Sequence, residues 1–132
     1  MNFLFDTNIL SELARPHPNP SVLSFTSEIS LIAISAITID EVAYGLTAKP
    51  NMRLKAWFDR FVINHCFVLP VTEAIAKQAG EMRGKLQIEG KPRSQADMLI
   101  AATAKVHQLT LVTRNIKDFQ GCDLLLLDPF SL

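Results

Sequence analysis

Glycine is scarce in this chain, and its five copies stand apart at Gly45, Gly80, Gly84, Gly90 and Gly121. That spacing excludes a Gly-rich phosphate loop and a dinucleotide-binding fingerprint, which need clustered glycines so that backbone can approach phosphate closely. No Gly-x-Ser-x-Gly elbow is present, so the signal of that class of serine hydrolase is missing too. The two cysteines, Cys66 and Cys122, are too few for a disulfide framework. Cys66 falls in the apolar run His65-Cys66-Phe67-Val68-Leu69 and is expected to be a buried thiol, a usage that suits a reducing cytoplasm. His65 and Cys66 make no catalytic pair, because neighbours in a strand point to opposite faces. The three histidines, His17, His65 and His107, have no partner at i+3 or i+4, so a zinc site is not expected. No apolar stretch is long enough to span a bilayer, and the first ten residues lack a basic start and meet Asp6 early, unlike a signal peptide. The expected location is therefore cytoplasmic. The formal net charge is zero, so no global basic field attracts nucleic acid, and any such contact must be local.

What is present is a core. Apolar residues make up 48% of the 132, enough for one compact domain spanning residues 1–132. Short apolar runs alternate with longer helical segments. Strands are expected at residues 2–5, 31–35, 67–69, 110–113 and 124–127. Helices are expected at 9–14, 20–28 (with Asn19 as cap and Pro20 in the first turn), 38–48, 52–62, 73–88 and 94–108. Strands separated by helices of this length imply an α/β fold, a mostly parallel central sheet with helices on both faces. The strands are apolar without alternation, as burial on both sides requires. Ligands of such sheets bind beyond the carboxyl ends of the strands.

Four acids compete for that edge. Asp6 directly follows the first strand. Glu41 lies in the first turn of the helix after the second, and Asp118 follows the strand that ends at Thr113; Asp97, in the first turn of the helix that opens at Ser94, joins them only if that helix starts at the same edge. Each also has an ordinary explanation. Asp6 fits a helix N-cap, Thr38-Ile39-Asp40-Glu41 has capping-box spacing, and Ser94-Gln95-Ala96-Asp97 resembles the same box. Yet Asp6 is wedged between apolar segments, and Asp97 opens the apolar helix Met98-Leu99-Ile100-Ala101-Ala102. Carboxylates shielded from water are costly unless compensated, and one cation compensates several at once. An all-oxygen donor set selects magnesium, with manganese as the alternative.

These residues match a family. Phe5-Asp6-Thr7-Asn8-Ile9-Leu10-Ser11-Glu12 resembles the opening of PIN-domain ribonucleases, particularly VapC-type toxins of bacterial toxin–antitoxin pairs. Ser35 to Gly45, Asp97 to Ala104 and Leu111 to Phe119 resemble the next three blocks, in family order and across nearly the whole chain. The resemblance implies a doubly wound, three-layer α/β fold and a magnesium-dependent endoribonuclease with an RNA substrate. It also implies a cognate antitoxin and a homodimer. On it, Asp6, Glu41 and Asp97 are the metal ligands, and Asp118 takes the fourth acidic role where Asn115 stands at a position often acidic in the family. Thr7, Asn8 and Thr113 orient the acids, and Asn115 supports them. The chemistry implied is phosphodiester hydrolysis with water as nucleophile.

Three other readings compete. One is an aspartate phosphotransfer domain with Asp6 phosphorylated, disfavoured by Asn8 where a second Asp is needed. Another is a degenerate PIN fold serving only to bind, and a third an RNA-processing nuclease that is not a toxin. Two surface features are also expected to matter. Between residues 77 and 93, Lys77, Arg83, Lys85, Lys91 and Arg93 outnumber Glu81 and Glu89, and with Arg114 they suggest a basic rim for RNA. Leu54, Trp57, Phe58 and Phe61 recur at helical spacing, a stripe that serves either the domain core or a groove for an antitoxin segment.

Overall fold

The computed structural model describes all 132 residues. Five strands, β1 (Phe3–Phe5), β2 (Ile32–Ser35), β3 (Cys66–Leu69), β4 (Thr110–Val112) and β5 (Leu126–Leu127), form one sheet in the order β3-β2-β1-β4-β5. Every pairing is parallel, with Leu4 opposite both Ala33 and Leu111. The helices are α1 (Thr7–Leu13), α2 (Pro20–Ser27), α3 (Ala36–Ala48), α4 (Met52–His65), α5 (Glu73–Ile88) and α6 (Gln95–Val106), with short 3-10 turns at Ile116–Phe119 and Pro129–Ser131.

Side-chain alternation divides the core into two layers. Leu4, Ala33 and Leu111 point to one face and pack with Ile75, Met82 and Leu86 of α5 and Met98 and Ala101 of α6. Their neighbours Phe5, Ile32, Ile34 and Val112 point to the other, against Ile9 and Leu10 of α1, Val22 of α2 and Phe58 of α4. Since successive strand residues face opposite ways, an unbroken apolar strand must be covered twice, and here it is. The expected three-layer α/β architecture is therefore present. Edge strand β3 departs from that pattern: Phe67 and Val68 are exposed, because no strand or helix covers them from beyond the edge.

Local chemistry sets the boundaries. Asn19 caps α2 by accepting from the Ser21 and Val22 amides at 2.9 and 3.3 Å. Ser35, not Thr38, caps α3, with the Ile37 amide donating to its hydroxyl at 3.0 Å, so α3 starts two residues earlier than the sequence suggests. Helix α4 continues to His65, three residues beyond expectation, because Ile63-Asn64-His65 contains neither Gly nor Pro to stop it. At the end of α5 the Gly90 amide bonds Gln87 O (3.1 Å) and the Lys91 amide bonds Leu86 O (2.8 Å), with Gly90 at φ 77°. The same motif ends α6, but there Gln108 holds the left-handed position at φ 56°. No helix is long and apolar enough to cross a membrane.

Candidate functional site

The carboxyl ends of β1, β2 and β4 converge where the strand order turns back on itself, and the acids gather there. Asp6 follows β1 and caps α1, accepting from the Thr7 amide at 2.8 Å through Oδ1. Its Oδ2 accepts from the Thr113 hydroxyl at 2.8 Å and from Asn8 Nδ2 at 3.1 Å. Asp6 is only 5% exposed. Thr113, fully buried just past β4, donates to Asp6 while accepting from the Asn115 amide at 3.0 Å and from Asn8 Nδ2 at 3.3 Å. Asn8 Oδ1 in turn accepts from the Arg114 amide at 3.3 Å, which fixes the orientation of its side-chain amide.

Glu41 lies in the second turn of α3, half-buried, and accepts from the Thr7 hydroxyl at 2.6 Å. Its capping-box role is excluded, since the helix begins at Ala36 and Glu41 turns to α1 instead. Thr38 was singled out in the sequence only as a cap; it is a fully buried hydroxyl 3.1 Å from that of Thr7. With Thr7's one proton given to Glu41, Thr38 supplies the proton between the two hydroxyls. Asp97 occupies the first turn of α6, where Ser94 caps the helix by accepting the Asp97 amide at 3.1 Å. Asp118 is exposed in the 3-10 turn after β4, and its amide bonds Asn115 O at 3.0 Å. Asn115 is exposed and its side chain makes no capping bond.

Electrostatics ties the acids together. Burial pushes the Asp6 carboxyl up to about 6; hydrogen bonds from Thr113 and the Thr7 amide pull it back, and the charges of Asp97 and Glu41 raise it. Asp97 is also raised, chiefly by burial, with Asp118 and Glu41 adding to the rise and Ser94 and Arg93 opposing it. All four predicted acids thus act on one locality. None of the four forms a salt bridge. Glu12 makes the contrast: buried like Asp6, it has Arg15 at 3.2 Å and accepts the Asn19 amide at 2.9 Å. The donor set around Asp6 is oxygen only and short of positive charge, which suits a hard divalent cation. As they stand, no three His, Cys, Asp or Glu side chains are gathered closely enough to enclose an ion. Two hold other partners, Glu41 on Thr7 and Asp6 on its three donors.

The sulfurs and imidazoles stay out of this chemistry. Burial pushes the Cys66 thiol up to about 12, and Cys122 is raised by the same cause. Cys66 itself is half-buried, less enclosed than expected. His17, His65 and His107 are all exposed, and His65 lies against the Phe61 ring.

The sequence pattern of the PIN domain matches residues 3–121. The chain belongs to the PIN-domain family. Toxin FitB of Neisseria gonorrhoeae is 32% identical to it over 96% of this chain and 97% of its own length. The tRNA(fMet)-specific endonuclease VapC of Shigella flexneri is 30% identical over 91% of each. Among solved structures, VapBC2 from Rickettsia felis bound to a promoter DNA fragment superposes with a TM-score of 0.84 at 29% identity, covering 96% of this chain and 97% of that one. Within the PIN domains, this is therefore a VapC-type chain.

The two surface expectations fare differently. A groove of about 560 Å³ runs between α1, α3 and α4, and Leu10, Ile39, Val42, Leu46, Phe58 and Val62 provide its apolar lining. Trp57 does not line it. That ring stacks on Phe61 at 4.7 Å and meets Phe58 edge-on at 5.2 Å, on the other flank of α4. Phe58 is core, and Leu54, Trp57 and Phe61 pack against it. The stripe is thus mainly structural, and the groove takes its α4 side from Phe58, Val62 and Ile63. On the basic side, Lys77, Arg83 and Lys85 of α5 are exposed, and Arg83 lies beside Gln95 and Leu99 in the helix that carries Asp97. Arg114 sits 4.3 Å over the Phe130 ring.

Proposed function

We propose that this PIN domain is the endoribonuclease toxin of a toxin–antitoxin pair, hydrolysing RNA phosphodiester bonds at the Asp6 pocket with magnesium. The observation that carries this reading is a buried Asp6 with no positive partner, on which the charges of Glu41 and Asp97 act, with Asp118 acting in turn on Asp97. Asp6, Glu41 and Asp97 would hold the cation, and Asp118 would complete the acidic set. When bound, the cation supplies Lewis acidity towards phosphate and lowers the pKa of water. The chain's own residues hold the acids in place. Thr113 and Asn8 fix the Asp6 carboxylate, Thr7 fixes Glu41, and the Ser94 cap sets the first turn of α6. The exposed cations of α5 offer phosphate contacts beside a pocket that is itself negative.

The antitoxin reading rests on the groove. Thr38 belongs both to the groove lining and to the hydroxyl pair behind Glu41, so a chain laid in the groove ends next to the acids. An amphipathic helix with apolar anchors fits such a surface, and a basic side chain beyond it would meet the uncompensated carboxylates. The free chain is further expected to form a homodimer, which light scattering reads directly.

The test is digestion of purified cellular RNA in magnesium and in EDTA, with Asp6→Asn and Asp97→Asn alongside the wild type. Wild-type cleavage in magnesium alone is expected, with either variant reduced at least about 100-fold, beyond the usual cost of losing an outer-sphere group. Cleavage in EDTA, or full activity of a folded Asp97→Asn, would overturn the reading.

A further inference from the structure

The pocket is crowded with acids, and one guanidinium lies among them. We propose that Arg93 is its phosphate clamp, donating hydrogen bonds to a non-bridging oxygen of the RNA phosphate being cut. This rests on the ribonuclease reading above and adds to it the residue that grips the scissile group.

Three observations converge on Arg93. It directly precedes Ser94, the N-cap of α6, so its backbone is fixed where the helix carrying Asp97 begins. Its Nη1 donates to the main-chain oxygen of Asp118 at 2.7 Å, which ties the segment before α6 to the turn that bears Asp118. Its charge acts on Asp97 and on Cys122, and no other basic side chain bears on either displaced carboxyl. The guanidinium is therefore tethered at the Asp118 turn with its charge acting on Asp97, yet it forms a salt bridge with neither. One donor of its fork is used on a carbonyl, and the others have no protein acceptor.

A phosphate supplies what is missing. Its non-bridging oxygens are paired acceptors that match the planar guanidinium fork, and Arg is better suited to that geometry than Lys. Charge develops on those oxygens during phosphoryl transfer, so a donor already in place favours the transition state over the ground state. The bond to Asp118 O helps here, because a side chain held before substrate arrives loses little freedom on binding. Arg83, Lys77 and Lys85 are exposed on α5 without such tethers and suit looser contacts along the strand.

Two measurements on Arg93→Gln, Arg93→Lys and the surface control Arg60→Gln test the assignment. One is binding of a fluorescein-labelled mixed-sequence 20-nucleotide RNA in EDTA across a salt series. The other is the cleavage rate of cellular RNA in magnesium. Arg93→Gln should flatten the plot of log affinity against log salt by about 0.7, one single-strand phosphate contact. It should also lower kcat at least tenfold. Arg93→Lys should keep the salt slope and still lose rate, since it keeps charge without the fork. Circular dichroism melts confirm that each variant is folded. An unchanged slope in Arg93→Gln overturns the clamp, even if cleavage falls, and leaves Arg93 as a tether of the Asp118 turn. A flattened slope with unchanged kcat places the contact away from the cut bond and also overturns it. If the wild type leaves RNA intact, the ribonuclease reading fails by itself, and the slope alone decides whether Arg93 holds phosphate.

Discussion

Asp6 is asked to be a carboxylate in a place that favours the acid. Folded, it keeps its proton up to about pH 6, whereas an ordinary aspartate releases it at 3.8. Between those values the folded chain binds more protons than the unfolded one, so stability falls as pH rises and levels off above about 6. At 1.36 kcal/mol per pH unit, the ionised Asp6 costs about 3 kcal/mol at neutral pH when nothing compensates it. Asp6→Asn removes that charge but turns Oδ2, the acceptor for Thr113 and Asn8, into a donor, a cost that does not vary with pH. In EDTA the gap, variant minus wild-type melting temperature, should be largest at pH 7.5 and narrow towards pH 4. A gap that widens on acidification would contradict the assignment. Magnesium should recover part of the difference for the wild type, about 2.7 kcal/mol at a hundredfold excess over its Kd.

At the level of elements, most of the plan is legible before any coordinates. All five strands and six helices are expected near where they stand, because apolar runs bounded by Pro, Gly and capping residues mark them directly. Asp6, Glu41 and Asp118 follow strand ends, so the sequence alone sets them at one edge, whereas Asp97 joins them only through where α6 begins, which the sequence does not show. What escapes the sequence depends on neighbours distant along the chain. Glu41 reads equally well as a capping residue until Thr7, 34 positions away, is seen to hold it. Thr38 reads as a cap until its contact with Thr7 reveals a support for the site. The stripe on α4 is real, but periodicity does not say which flank meets the core, and Trp57 falls on the side away from the groove. An experiment follows from that geometry. Leu46→Asp places a charge in the groove and should weaken binding of the cognate antitoxin by about 2 kcal/mol, roughly 30-fold in Kd, while RNA cleavage persists. Trp57→Ala should cost stability and leave antitoxin affinity near wild type. Calorimetric titration of both variants decides it, and the reverse ranking would move the partner to the Trp57 flank.

Over the whole molecule, positive and negative charge cancel in number but not in place: acids line the pocket and cations line α5. The pocket also joins distant parts of the chain. Thr113, which holds Asp6, lies 107 residues along from it, and β4 flanks β1 in the sheet. A product ending at residue 109 would contain Asp6, Glu41 and Asp97, yet lack β4 and the hydroxyl that fixes Asp6. It should neither cut RNA in magnesium nor slow growth when expressed, whereas the full chain should do both; cleavage by the fragment would show that β4 is dispensable. The parallel pairing of β4 with β1 thus makes a late segment of the chain a condition for the site. Three of the four acids are in place once residue 97 has been made, yet a stop before β4 is expected to leave an inert fragment. Only a chain that carries β4 beside β1 has the hydroxyl that fixes Asp6, and on that the expected activity depends.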